Sequence, residues 1–215
     1  MNLGFRQHAV CTTQATSDTH GGQQYPVTAG LTFAATTPVV AIYAPGDPVA
    51  LLACRPNGNG TWNATFWSPQ ATTFDVYIFD QMAACPPSGS TCGFQAFNAQ
   101  GALIADSAIP FLNVLGFVSG ALSGTTAYTQ QWSFGVAKAA TVVGVTGHKY
   151  VSQGLTVPGQ DLGRTVAMIS AWKHAGGTVQ MAASLALSNV FPLTNPILEW
   201  AYPNWTGIIV DVSNL

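Results

Sequence analysis

The sequence predicts an all-β chain built as antiparallel β-sandwiches, and three observations predict it. Short runs rich in β-branched and aromatic residues recur along the chain, bounded by Gly, Pro, Asn, Asp or Ser. The 22 glycines and 13 prolines interrupt every stretch at short intervals, which breaks helices and marks turns. Charged residues make up only 7% of 215, so the i,i+4 ion pairs that support surface helices cannot be numerous.

The expected strands run in order from Val39–Tyr43, Val49–Cys54, Thr61–Trp67 and Phe74–Phe79 to Phe94–Asn98 and Ala102–Ala105. They continue with Phe111–Val118, Gln131–Val136, Thr141–Val145, Thr165–Ile169 and Gly207–Val212. In Thr61–Trp67 the period of two sets Trp62, Ala64 and Phe66 on one side and Asn63, Thr65 and Trp67 on the other. An aromatic on each face fits two-sided burial or an interface. Phe94–Asn98 and Ala102–Ala105 form a hairpin, with Gly101 ending the connection where a left-handed residue is needed. Gln180–Val190 is Ala-rich and is the best helix candidate, but its Thr-Val lead-in and short length leave it open between helix and strand. A boundary near Asp106 to Pro110 divides the chain into an N-terminal β-sandwich-like half, 1–108, and a C-terminal β-rich half, 109–215. A single domain with a Gly/Ser/Thr-rich connection, SGALSGTT from Ser119, is the alternative.

Composition narrows the function. A net charge of −2 with six Lys and Arg in all offers no basic patch for a phosphate backbone, so nucleic acid is not an expected partner. The most apolar stretch, Ile109 to Leu122, is interrupted by Pro110, Asn113, Gly116, Ser119 and Gly120, so no membrane span is expected. The segment MNLGFRQHAVCTTQ lacks the apolar core of a secretory signal, which points to synthesis in the cytoplasm. Soluble monomers rely on surface charge to stay apart. A chain this poor in charge therefore suits an assembly, or a polar, uncharged surface outside the cell.

No catalytic constellation emerges. The cysteines are Cys11, Cys54, Cys85 and Cys92. Cys85 and Cys92 flank a PPSGST loop and could staple it as a disulfide, the alternative being two reduced thiols; the spacing is no zinc signature. His8, His20, His148 and His174 show no ligand spacing, and Lys149 and Lys173 stand beside two of them. Neither metal nor cofactor is expected. Asp75, Asp80 and Asp106 sit at strand ends, where a carboxylate more often caps a turn than moves a proton. A glycosidase would need two facing carboxylates. Trp62, Trp67, Trp200 and Trp205 are candidate interface or glycan contacts, set against the commoner role of core packing.

Three adjoining segments carry a resemblance: Phe74-Asp-Val-Tyr-Ile-Phe-Asp80, then Gly93-Phe-Gln-Ala-Phe-Asn-Ala-Gln-Gly-Ala-Leu-Ile-Ala-Asp-Ser107, then Phe111-Leu-Asn-Val-Leu-Gly116. Together they resemble the small structural proteins of the tail tip and tail fibre of long-tailed, siphovirus-like bacteriophages. The matching positions are Gly93, Phe97, Asn98, Gly101, Leu103, Asp106 and Ser107, while Ala105 departs from a pattern that usually has Phe there. The resemblance spans Phe74 to Val118. It implies a virion protein made in the host cytoplasm and working outside the cell. Other tail proteins would be its partners, in a trimer or ring around the tail axis. It implies contact rather than catalysis, with Phe94, Phe97 and Phe111 in a core or interface and Gly101 in the turn. A receptor- or carbohydrate-binding module is the first rival, and a tail-borne polysaccharide or cell-wall hydrolase the second.

Overall fold

A computed structural model describes residues 3–20, 23–86, 88–89, 93–123, 127–157, 160–192 and 199–215. Within these, 17–20, 23–26, 150–157, 160–166, 185–192 and 199–200 are described by backbone alone. The strands are β1 (Leu3–Thr12), β2 (Gln14–His20), β3 (Gln23–Ala34), β4 (Val39–Tyr43), β5 (Ala50–Pro56), β6 (Thr61–Trp67), β7 (Thr73–Gln81), β8 (Gln95–Phe97) and β9 (Leu103–Asp106). They continue as β10 (Asn113–Ala121), β11 (Tyr128–Ser133), β12 (Ala139–Val145), β13 (His148–Val157), β14 (Gln160–Ala175), β15 (Thr178–Pro192), β16 (Glu199–Tyr202) and β17 (Asn204–Asp211). Apart from one 3-10 turn, Met82–Ala84, the described residues hold no helix. Gln180–Val190 lies inside β15, antiparallel to β14 along its length. A strand fixed on both sides of a sheet overrides the weak helical preference of its alanines.

A six-stranded antiparallel sheet, β1-β7-β4-β12-β17-β10, organises the molecule. It curls until its edges meet. The Phe5 amide donates to Pro110 O at 2.7 Å, the Leu112 amide to Leu3 O at 3.0 Å, and Gly4 bridges Phe111. A side chain at Gly4 would stand 2.9 Å from Met82 Cε and 3.1 Å from Cys85 Sγ and Ile109 Cγ2, so the seam closes over this cluster only with glycine there. The result is a small barrel whose interior holds Ala41, Tyr77, Phe79, Ala140, Val142, Val210 and Val212.

The barrel's outer wall carries the other two large sheets. The sheet β2-β3-β6-β5 packs over β1, β4 and β7, burying Phe33, Val40, Ile42, Phe66, Phe74, Val76 and Ile78. The sheet β11-β15-β14-β13-β16 packs over β12 and β17, burying Met168, Trp172, Met181, Trp205 and Ile209. These two sheets also meet each other, where Val49 and Trp172 exchange amide bonds of 2.9 and 2.8 Å and Trp67 packs with Ile169 and Ala171. The central strand β7 shows how sequence becomes layer. Phe74, Val76 and Ile78 face the four-stranded sheet while Tyr77 and Phe79 face the barrel interior, so both alternating sets are apolar.

The expected boundary near 106–110 is bridged. The barrel takes β1, β4 and β7 from before residue 108 and β10, β12 and β17 from after it, with Ala41 paired to Val142 across the join. The segment 110–112 is itself the barrel's seam.

Candidate functional site

The segment that carries the tail-protein resemblance is a hairpin standing outside the three large sheets. Its motif residues are occupied in shaping it. Asn98 Oδ1 accepts from the amides of Gln100 at 3.0 Å and Ala102 at 2.8 Å, an Asx-type turn. Gly101 takes φ +79°, the left-handed conformation expected of it. Ser107 Oγ accepts from the Phe94 amide at 2.8 Å, and the Ser107 amide donates to Phe94 O at 2.9 Å. The buried Asp106 accepts from the Ala108 amide, Gln95 Nε2 and Ser88 Oγ. The Ala108 amide, first among these donors, holds its carboxyl below the usual range.

Leu103 ties this hairpin to Met82, Cys85 and Ile109. Of Phe94, Phe97 and Phe111, expected in a core or an interface, the first two are 67% and 56% exposed and Phe111 is exposed as well, so none lies in the core of the chain. Among the described residues β8 and β9 pair only with each other, and no other sheet joins theirs. Between the hairpin and the Met82–Ala84 turn runs a groove of about 520 Å³, lined by Gln81, Met82, Asn98, Ala102, Leu103 and Ile104.

The tryptophans proposed as contacts separate. Trp67 and Trp205 are fully buried and correct that expectation, because Trp67 packs against Ala50, Ile169 and Ala171 and Trp205 lies in the cluster with Met168, Trp172 and Met181. Trp205 stands edge-on to Trp172 and Trp132, ring centroids 5.6 and 5.9 Å away. Trp62 is half-buried, its indole N–H donating to Ala35 O at 3.1 Å. The side chain of Trp200 lies outside the described residues. Cys92 also lies outside them, while Cys85 is a buried thiol 3.4 Å from Gly4 O. Burial pushes the Cys11, Cys54 and Cys85 thiols above their ordinary value, which favours the protonated, unreactive form.

One polar cluster, not foreseen from the sequence, occupies a mouth of the barrel. Lys138 Nζ donates to Asp75 Oδ2 at 2.8 Å and Tyr77 Oη at 2.6 Å, and lies 4.4 Å from the centre of the Tyr43 ring. His8 Nε2 meets Asp75 Oδ1 at 3.0 Å, and the ring stacks on Tyr77. Desolvation works against both charges. It is the largest single influence on each. The Lys138–Asp75 bond, joined by the Tyr77 hydroxyl at the lysine and by His8 at the aspartate, outweighs it and holds the lysine above and the aspartate below their ordinary values. The charges therefore cancel within the cluster, and Lys138 stays a cation rather than a nucleophile or base. Its members lie far apart in sequence, on β1, β4, β7 and before β12, so only pairing brings them together.

Asp80 and Asp211 hold backbone. Asp80 accepts from the amides of Thr36, Thr37 and Gln81 at 2.7, 2.9 and 2.8 Å, the turn-capping role its position predicts. Asp211 accepts from the Ser213 amide and hydroxyl. Asp75 and Asp80 stand on opposite faces of β7, so they do not form a facing pair. Among the described residues no group of His, Cys, Asp and Glu could hold a metal ion, and no helix is long and apolar enough to cross a membrane.

The fold and this surface define an all-β protein of packed antiparallel sheets, with a hairpin that presents aromatic side chains outward. Comparison with known protein families, with characterised proteins and with solved structures finds no match.

Proposed function

We propose that the chain is a structural virion protein of a bacteriophage tail tip or tail fibre, assembling with other tail proteins as a trimer or ring and contacting the host surface. The observation that carries this reading is the hairpin of Phe94 to Ser107. Its motif residues secure its shape while Phe94 and Phe97 stay in water. A chain that spends Asn98, Gly101, Asp106 and Ser107 on presenting exposed apolar side chains has built a contact, and exposed apolar patches of this kind serve association. Residues 83–112 hold one charge, the buried Asp106, so a partner can cover this face without desolvating a charge. In this reading the protein works by contact, without catalytic residue or cofactor, after synthesis in the host cytoplasm. The burial of Trp67 and Trp205 removes two of the four tryptophans on which a glycan platform would rest.

The test is to label purified phage particles with an antibody to this chain and image them. Label at the distal end of the tail is the expected result. Abundant protein in the lysate with no label on any particle overturns the reading.

A further inference from the structure

The seam of the barrel is zipped only where residues 3–5 face 110–112. Each strand leaves it at a bulge, β1 between Phe5 and Gln7 and β10 between Val114 and Gly116. Beyond the bulges β1 pairs only with β7 and β10 only with β17. Two edges of one sheet are thus left open, Gln7–Thr12 and Gly116–Ala121. On the barrel-side face of the first stands Val10, 63% exposed, and on that of the second Phe117, 77% exposed. Natural proteins protect open edges with Lys, Pro or covering loops. Neither edge contains a Lys or Pro, and among the described residues the cover is limited to the end of β10, where the Tyr128 hydroxyl donates to Ala121 O at 2.8 Å. GFVSGA carries no charge, and QHAVCT carries only His8, which is turned onto Asp75.

We propose that these edges join different copies head to tail, the β10 edge of one molecule receiving the β1 edge of the next in the antiparallel sense of the seam itself. The joint covers Val10 and Phe117 on one face and sets two neutral edges together, so no charge is buried unpaired. A two-fold pairing of β10 with itself would leave the β1 edge bare in every copy. The head-to-tail joint uses both edges and is the kind of contact that closes rings. The inference deepens the assembly reading above and rests on it in taking the chain to work as an oligomer.

The experiment measures molar mass across concentration for the full chain, for F117K and V10K separately, and for their equimolar mixture. Wild type should form species larger than a dimer as concentration rises. Each variant should remain monomeric, its dissociation constant raised about tenfold or more by loss of the apolar anchor. The mixture should stop at dimers, because V10K still offers an intact β10 edge and F117K an intact β1 edge. F117S and V10T repeat the test should either lysine variant lose its β-sheet spectrum.

A monomeric wild type, a variant that keeps the wild-type mass, or a mixture that stays monomeric overturns the proposal. A response to F117K alone points to the two-fold pairing and also overturns it. An oligomer indifferent to both substitutions leaves assembly standing and removes only this joint, so the two readings fail separately.

Discussion

His174 should make the fold sensitive to mild acid. It is fully buried on β14 between two walls. The Ala44 amide donates to its Nδ1 at 3.0 Å, its Nε2 lies 3.0 Å from Thr141 Oγ1, and its own amide donates to Ala44 O at 2.8 Å. Nδ1 must accept, so the neutral ring carries its proton on Nε2 and donates it to Thr141. A second proton on Nδ1 would face the Ala44 N–H with no countercharge beside it. Burial pushes the imidazole down to about 3, whereas in the unfolded chain it titrates near ~6.5.

The folded pKa is the depressed one, so the stabilisation is complete above ~6.5 and drains away as pH falls toward 3. The slope is about 1.4 kcal/mol per pH unit, which makes roughly 2 kcal/mol between pH 7.5 and 5. That is a large share of a typical folding free energy of about 5–15 kcal/mol. Urea unfolding at successive pH values should show this slope in the wild type and lose it in H174Q. H148Q provides the comparison for His148, which burial also lowers. Equal slopes in wild type and H174Q, or a His174 ring that titrates near neutrality by NMR in the folded protein, would refute the argument.

Asp80→Ala should cost about 2–4 kcal/mol in thermal unfolding, because the amides of Thr36 and Thr37 lose their buried acceptor and Arg6 its nearby carboxylate. Gly207→Ala should cost about 1–3 kcal/mol by overpacking. Its new methyl would stand 2.7 Å from Trp172 Cη2 and 3.0 Å from Thr141 Cγ2, and a change in tryptophan fluorescence should accompany the loss. Asn98→Ala should speed hydrogen exchange of the Gln100 and Ala102 amides while the global melting temperature stays put, since the hairpin lies outside the main sheets.

The strands that were legible are those whose own residues announce them. Val39–Tyr43 and Thr61–Trp67 coincide with β4 and β6 because a β-branched or aromatic run is cut off by Pro, Gly or Ser at each end. The strands β1 to β3 were not legible: β1 carries Arg6, Gln7 and His8 in mid-strand, QATSDTH is polar but for Ala15, and the β3 sequence contains Pro26 and Gly30. They are strands through pairing, β1 with β7, β3 with β6 and β2 with β3, a tertiary cause with no local signature.

The capping by Asp80 is local only at Gln81 and otherwise reaches Thr36 and Thr37, which sequence could not name. The turn at Gly101 was legible because it is settled within a few residues. The exposure of Phe94 and Phe97 was not, since local sequence gives an aromatic strand the same appearance whether or not a second sheet covers it. The Lys138–Asp75–Tyr77–His8 cluster was equally hidden, being a product of strand order alone.

That strand order has a consequence for how the polypeptide is made. In the barrel β1 lies beside β7, β4 beside β12, and β17 slots between β12 and β10. Neighbours so distant along the chain fold slowly, because the loops between them must close before any pairing rewards it. During synthesis Tyr77, Phe79 and Ala41 leave the ribosome long before Asn204–Asp211, the strand that supplies Val210 to the same interior. A nascent chain of this protein therefore waits with an unfinished wall, its β4 edge open until β12 arrives and its β12 edge open until β17 does. The barrel cannot be completed one half of the chain at a time, and its apolar interior stays uncovered until β17 is in place.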